Sequence, residues 1–210
     1  MADVPITIIG GWVIGCAIAH ELSKDNEIIL LERSEQIPGE NQSSRNSGVV
    51  HAGIYYDPGS LKAQLCVEGN ELLYEFCQKY GVPHQKTGKL VVATNDREQE
   101  YLEDLLQTAQ RNQVPSVRII SGEEARALEP NVRAQSALHV PTSGIVEPTS
   151  LVRRLYQLAE DNGTAFLTGS EVIDIQSNQD SLELKLNSGE TFETDIVINT
   201  AGLHSDKIAR

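Results

Sequence analysis

The strongest constraint on the fold is an apolar segment that runs directly into a glycine-rich turn. Residues 5–9 (PITII) have the pattern of a buried strand, residues 10–15 (GGWVIG) form the turn, and residues 13–24 have helix-forming composition. A second apolar segment, residues 26–32 (NEIILLE), ends in an acid. Strand, turn, helix and strand within about thirty residues make a βαβ unit, which gives parallel strands. We therefore predict an α/β fold of the Rossmann-like type.

The glycine turn is similar to the dinucleotide fingerprint G-x-G-x-x-G. Gly10 and Gly15 occupy the first and third glycine positions, with Gly11 between them, but Trp12 stands at the second. Glu32 lies where the fingerprint has an acid that binds the ribose hydroxyls. The alternative is that these are ordinary turn glycines and a solvated acid at a strand end. Trp12 has three interpretations: it weakens cofactor binding, a displaced loop accommodates it, or it is an alteration of the sequence.

Further helices and strands are predicted along the rest of the chain. Helices are expected over residues 60–80, 96–112 and 148–160, with a short one after the capping box at 121–124. Strands are expected over residues 89–94, 137–141, 165–167, 171–176, 182–186 and 195–202. In the helix over 60–80, Leu61, Leu65, Leu72, Leu73 and Phe76 share one face. We predict a nucleotide-binding domain in two segments, residues 1–84 and 145–210, with an inserted α+β lobe over 85–144.

Composition excludes several classes of protein. The formal net charge of −13 disfavours binding to nucleic acid, and no apolar run reaches the length of a transmembrane segment. The three cysteines are too few and too scattered for a disulfide framework, and the histidines lack the spacing of metal ligands. Few cysteines and no visible signal peptide predict a cytoplasmic location.

A polar loop follows Glu32 and favours FAD over NAD as the cofactor. Residues 36–60 contain the stretch Ser43-Ser44-Arg45-Asn46-Ser47-Gly48, which supplies hydroxyls and backbone N–H groups. In a simple NAD domain the second strand usually leads into another helix. A long loop in a compact domain is usually functional, so we expect this one to pass the diphosphate and reach toward a flavin.

Four segments resemble the L-2-hydroxyglutarate dehydrogenase/oxidase family, within the D-amino-acid-oxidase-like flavoproteins. They are residues 44–63 (SRNSGVVHAGIYYDPGSLKA), 86–93 (KTGKLVVA), 143–150 (SGIVEPTS) and 199–206 (NTAGLHSD). The resemblance covers essentially the whole chain. It implies a Rossmann-like FAD-binding domain with an inserted α+β substrate-domain lobe. Because members of this family are much longer, it also implies that a C-terminal half is missing.

The resemblance assigns cofactor-binding roles residue by residue. Gly10, Gly11 and Gly15 match the pyrophosphate turn, from which Trp12 departs, and Glu32 matches the ribose acid with Arg33 beside the adenosine. The remaining matches are the polar loop (Ser43, Ser44, Asn46, Ser47 and Gly48), the backbone of Val172 at the adenine edge, and Ala201 and Gly202 at a late strand end. A plain core role for Val172 remains open.

The implied reaction is the oxidation of L-2-hydroxyglutarate to 2-oxoglutarate, with hydride transfer from C2 to flavin N5. A base must accept the hydroxyl proton, and histidine suits this near neutral pH. His51 is the candidate; a hydrogen bond to the flavin, a covalent link to it, or a structural role are the alternatives. Tyr55 and Tyr56 are candidates for lining the substrate pocket.

Two other functions remain open. One is a non-catalytic remnant with a nucleotide-binding fold, which Trp12 favours. The other is a related flavoenzyme that acts on amino acids, amines or glycerol phosphate. The expected partners are the small 2-hydroxy acid and an electron acceptor, either oxygen or a quinone. Attachment at the periphery of the inner membrane is a further expectation that the sequence leaves undecided.

Overall fold

The computed structural model describes residues 3–38, 43 and 45–209. They divide into two compact units: unit 1 comprises residues 1–46 and 148–210, and unit 2 comprises residues 47–147. The helices are α1 (Val13–Leu22), α2 (Leu61–Tyr80), α3 (Asp96–Arg111), α4 (Gly122–Leu128), α5 (Pro148–Asp161) and α6 (Ser205–Ile208), with a 3₁₀ helix over Gly202–His204. None of the helices in the described ranges has the length and apolar character to span a membrane.

Unit 1 contains a six-stranded sheet. Its strands are β1 (Val4–Ile9), β2 (Ile28–Glu32), β9 (Ala165–Thr168), β10 (Val172–Ser177), β11 (Leu182–Leu186) and β12 (Thr191–Asn199), in the order β10-β11-β12-β1-β2-β9. β1 pairs in parallel with β12 and β2, and β2 pairs in parallel with β9. β10, β11 and β12 pair antiparallel, and Gly189 (φ +91°) lies in the turn between β11 and β12. The predicted α/β fold with parallel pairing of β1 and β2 is confirmed, within a mixed sheet whose β10–β12 end is antiparallel.

The alternation of β1 distributes its side chains to two cores. Ile6 and Ile8 pack with Ala19 of α1 and Ala159 of α5 on one face of the sheet. Ile9 contributes to a second cluster with the apolar residues of β10 and β11. Because successive strand residues point to opposite faces, a strand that is apolar on both faces must be covered on both. β1 is buried up to its last residue, Ile9, and the glycine turn begins directly after it.

Unit 2 contains two small antiparallel sheets. One has the order β5-β7-β6, with β5 at Leu90–Ala93, β7 at Ser136–His139 and β6 at Arg118–Ser121. The other has the order β3-β8-β4, with β3 at Val49–Val50, β8 at Gly144–Val146 and β4 at His84–Gln85. α3 packs its buried residues Leu102, Leu105 and Ala109 against β5 and β7. The predicted capping box at Ser121 and Glu124 starts α4.

The extent of unit 2 differs from the predicted insertion over residues 85–144. β8 pairs with both β3 and β4, so residues 47–84 and 145–147 belong to the same compact unit as 85–144. Strands of two or three residues carry no periodicity, which is why the sequence does not reveal them. The α2 residues predicted to share one face are largely exposed in this structure, with Leu61, Leu65 and Leu72 at 68%, 56% and 55%. The buried residues of α2 are Ala63, Asn70 and Cys77.

Candidate functional site

The glycine turn is packed so tightly that two of its glycines have no space for a side chain. Gly10 has φ +108°, and a Cβ on it would lie 2.5 Å from the carbonyl oxygen of Thr200. A Cβ on Gly15 would lie 1.9 Å from the carbonyl oxygen of Gly10. The Thr200 hydroxyl lies 2.9 Å from the carbonyl oxygens of both Ile9 and Gly10, to which it can donate. The turn therefore requires glycine at positions 10 and 15 for the fold itself.

Glu32 supports the same turn from the end of β2. One carboxylate oxygen accepts the Gly11 N–H at 2.8 Å, and the other accepts the Ser34 N–H at 2.8 Å. The residue is only 4% exposed. Each oxygen keeps a lone pair that can accept a further hydrogen bond. This structural role is not visible in the sequence, because the partner Gly11 lies 21 residues away.

The start of α1 is free of side-chain capping. Trp12 is the N-cap residue, with φ −108° and ψ −161°, and no side chain of the described residues caps the helix there. The first turn contains no acidic residue, and the first helical bond runs from Cys16 N–H to the Trp12 carbonyl at 2.7 Å. A helix N-terminus carries unpaired N–H groups and a partial positive charge, which suits an anion.

A thiol lies under the turn and stays neutral. Cys16 is fully buried and lies 3.3 Å from the carbonyl oxygen of Gly11, to which the thiol donates. Burial raises the pKa of the Cys16 thiol to about 12, and the negative charge of Glu32 adds to the rise. Burial favours the uncharged form of an acid, and so does a like charge nearby. Cys16 is therefore a packing residue with little thiolate at neutral pH.

The end of β12 lies against the glycine turn, and the predicted contact of Ala201 and Gly202 with the cofactor stays a prediction. The N–H of Ala201 is 3.1 Å from the position of a Cβ on Gly10, and it donates to the side chain of Asn199. Gly202 follows with φ +57° at the start of the 3₁₀ helix. Val172 is 7% exposed in β10 and belongs to the apolar cluster that includes Ile9.

The polar loop contributes residues to both units. Arg33 is exposed just after β2, and Ser43 and Asn46 complete the first segment of unit 1. Ser47 is exposed and Gly48, with φ +70°, is buried at the start of unit 2. The candidate Ser44 lies outside the described residues.

His51 follows β3 in unit 2, with its backbone held and its side chain exposed. Its carbonyl oxygen accepts the Asn70 amide at 2.8 Å, and the Cys66 thiol lies 3.6 Å from it. Asn70 is 8% exposed and also donates to the Thr142 carbonyl at 3.0 Å. An open groove of about 210 Å³, lined in part by His51, lies between β3 and one face of α2. Asn70 therefore fixes the position of the histidine backbone.

The two candidate tyrosines each have a lysine ammonium over the ring. Lys89 Nζ is 4.7 Å from the Tyr55 ring centroid, and Lys62 Nζ is 4.4 Å from that of Tyr56. Asn112, at the end of α3, donates to the carbonyls of Gly53 and Tyr56 at 2.9 and 2.8 Å. The buried Asn112 amide therefore holds the loop that bears the two tyrosines.

The structure brings some of the predicted residues together and identifies others that the sequence did not. Gly10, Gly11, Gly15, Glu32 and Ala201 form one site in unit 1. His51, Tyr55 and Tyr56 lie in unit 2. The sequence patterns did not single out three supporting residues, Thr200, Asn70 and Asn112. Thr200 does lie within the family-like segment 199–206. Within the described ranges, no three His, Cys, Asp or Glu side chains converge as metal ligands.

Two adjacent parallel strands, the first ending in this glycine turn and the second in an acid, are the pattern of a dinucleotide-binding protein. A family model described as FAD dependent oxidoreductase (DAO) matches residues 5–210. The chain therefore belongs to the DAO family of FAD-dependent oxidoreductases, and the predicted FAD dependence is confirmed for this family.

Two individual relatives and one solved structure illustrate the similarity within this family. The mitochondrial L-2-hydroxyglutarate dehydrogenase of Caenorhabditis elegans is 39% identical over 217 residues, which cover 99% of this chain and 50% of that protein. The glycerol 3-phosphate dehydrogenase of Caloramator mitchellensis is 36% identical and covers 97% of this chain and 42% of its own length. The structure of dithionite-reduced L-α-glycerophosphate oxidase from Mycoplasma pneumoniae, with FAD bound, superposes with a TM-score of 0.90. It is 32% identical and covers 99% of this chain and 56% of that one.

These comparisons confirm the resemblance to L-2-hydroxyglutarate dehydrogenases, and the chain spans about half the length of the curated relatives it matches. The described residues fit the diphosphate and ribose of FAD in three respects: glycines at 10 and 15, an uncapped helix start, and a carboxylate with free lone pairs. Trp12 is the one residue of the turn that departs from this fit.

Proposed function

We propose that this chain carries the cofactor-binding turn and part of the substrate-binding region of an oxidoreductase that converts L-2-hydroxyglutarate to 2-oxoglutarate. The observation that carries the proposal is the 39% identity to an L-2-hydroxyglutarate dehydrogenase across 99% of the chain. In this proposal unit 1 binds FAD and unit 2 is part of the substrate-binding domain.

The proposed cofactor contacts lie mainly in unit 1. The turn of residues 10–15 and the start of α1 hold the diphosphate, and Glu32 accepts the ribose hydroxyls through its remaining lone pairs. The other proposed contacts are Arg33 beside the adenosine, the backbone of Val172 at the adenine edge, Ser43, Ser44, Asn46, Ser47 and Gly48 along the diphosphate and flavin, and Ala201 and Gly202.

The proposed chemistry requires one proton acceptor from the protein. The residues of unit 1 would hold FAD, which would supply the hydride acceptor for the C2–H bond of the hydroxy acid. The His51 imidazole accepts the hydroxyl proton, so the C–O single bond becomes a carbonyl. Asn70 supports this role because it holds the His51 carbonyl at 2.8 Å while the ring remains exposed. Tyr55 and Tyr56 line the substrate pocket, and the ammonium groups of Lys89 and Lys62 over their rings attract a dicarboxylate.

A second candidate substrate is glycerol 3-phosphate. It is supported by the 36% identity to a glycerol 3-phosphate dehydrogenase and by the TM-score of 0.90 to an L-α-glycerophosphate oxidase. Both candidates are secondary alcohols with an anionic group, so the same base and the same positive charges suit either.

The test is a FAD titration of the purified chain, followed by substrate addition without oxygen. We expect a shift of the visible flavin bands on binding, then bleaching by L-2-hydroxyglutarate but not by its D-enantiomer. Bleaching by glycerol 3-phosphate alone would support the second candidate instead. No spectral change at the highest soluble FAD concentration, in the parent chain and in Trp12→Gly alike, would contradict a cofactor site in this chain.

Variants at two histidines test the proposed base. We expect His51→Ala to bind FAD as the parent chain does and to lose bleaching. The matched control is His84→Ala, a second exposed histidine of unit 2 that should bleach normally. Unchanged bleaching in His51→Ala would rule out the base role.

A further inference from the structure

Residue 12 is the position at which the chain departs from the dinucleotide fingerprint. Glycine normally stands there because it lets the pyrophosphate approach the backbone closely. The inference below rests on the proposed FAD site in unit 1.

The fold itself requires glycine at positions 10 and 15, and position 11 is also crowded. A Cβ on Gly10 or Gly15 would lie 2.5 or 1.9 Å from a backbone oxygen, and Gly10 also has φ +108°. A Cβ on Gly11 would lie 2.3 Å from the end of the Ile37 side chain. These contacts come from the chain alone and persist without a ligand.

Residue 12 has no such requirement. Its φ of −108° and ψ of −161° are extended backbone that any L-residue adopts. Its carbonyl accepts the first helical hydrogen bond at 2.7 Å, so tryptophan leaves the start of α1 intact. The need for glycine at this position therefore comes from the ligand and not from the fold.

We propose that Trp12 is an affinity-determining residue: its side chain excludes the diphosphate of FAD from the start of α1 without disturbing the turn. The chain accordingly binds adenine dinucleotides weakly, and removal of the indole restores tight binding. Glu32 and the adenosine part of the site are unaffected, because Glu32 is held by its own bonds to Gly11 and Ser34.

Calorimetric titration of four chains with FAD, ADP and adenosine tests this. The chains are the parent, Trp12→Gly, Trp12→Ala and Trp12→Phe. ADP retains the diphosphate without the flavin, and adenosine lacks both. We expect the affinities for ADP and FAD to be highest with glycine at position 12, lower with alanine, and lowest with phenylalanine or tryptophan. The Trp12→Gly chain should bind about tenfold or more tightly than the parent, because the diphosphate regains charge-assisted hydrogen bonds. Adenosine affinity should change by less than about twofold, since no phosphate is present.

Thermal unfolding of the ligand-free chains separates a steric effect from a structural one. We expect the Tm of Trp12→Gly to lie within about 3 °C of the parent, because glycine is an acceptable N-cap. Equal FAD affinity in parent and Trp12→Gly would overturn the inference and leave the FAD site standing. An equal rise in the affinities for adenosine and ADP in Trp12→Gly would overturn the inference as well. If no variant binds FAD or ADP, both the inference and the proposed cofactor site fail.

Discussion

Replacing Glu32 by glutamine tests whether this carboxylate stabilises the turn when no nucleotide is bound. Its two oxygens accept the N–H groups of Gly11 and Ser34, each at 2.8 Å. Glutamine has nearly the same shape but only one acceptor oxygen, and its NH₂ group would face the second N–H. One backbone donor therefore loses its partner, and the other keeps a neutral acceptor in place of a charged one.

The size of the effect follows from the burial of the two bonds. The Gly11 bond is buried and the Ser34 bond is part-buried, so the amide oxygen should keep Gly11 and leave Ser34 to water. A hydrogen bond to a charged group contributes about 1.5–3 kcal/mol. We therefore expect Glu32→Gln to lower the free energy of unfolding by about 2 kcal/mol. Glu32→Ala removes both acceptors and should cost about 3–5 kcal/mol.

The assay is urea unfolding of the ligand-free chain. Trp12 is the sole tryptophan and lies in the turn, so its fluorescence reports on unit 1, while circular dichroism reports on the whole chain. The matched control is Glu35→Gln, an exposed acid three residues further on, which should change stability by less than about 0.5 kcal/mol. If Glu32→Gln is as stable as Glu35→Gln, the two backbone bonds do not support the turn. Glu32 would then matter for ligand binding alone.

Two further predictions concern the turn and the thiol beneath it. Gly15→Ala should destabilise the chain by about 1–3 kcal/mol, because the new methyl lies 1.9 Å from the Gly10 carbonyl oxygen. A Cβ on Gly69 of α2 would meet nothing within 4 Å, so Gly69→Ala should stabilise the chain by about 0.5–1 kcal/mol. Shifts of the Tm in the same direction for both variants would contradict the packing argument. Because the folded pKa of Cys16 is raised to about 12, its contribution to stability is complete below the ordinary thiol pKa of 9.0 and is lost as pH rises toward 12. Urea midpoints between pH 8 and 11 should fall more steeply in the parent than in Cys16→Ala, and equal slopes would refute this.

Local patterns predicted most of the secondary structure. The capping box at Ser121 and Glu124 starts α4, and the Ser60 side chain accepts the Ala63 N–H at the start of α2. Such signals involve residues three or four apart, so they are legible before any tertiary contact forms. For α2 the sequence predicted which leucines share a face but not whether that face is buried, because helical periodicity does not show which face the rest of the protein covers. The small and polar residues Ala63 and Asn70 are buried instead.

The candidate site also has features that the sequence predicted and features that only the structure showed. The sequence by itself determined the βαβ unit and the positions of Gly10, Gly15 and Glu32, because the dinucleotide fingerprint is a short-range pattern in one segment. Only the tertiary structure decided why those glycines are obligatory. The Thr200 hydroxyl that meets the Gly10 carbonyl is 190 residues away in the chain, and parallel pairing of β1 with β12 brings the two together. Only the backbone angles at residue 12 showed that tryptophan is compatible with the fold, since steric demand depends on three-dimensional neighbours that a sequence does not list.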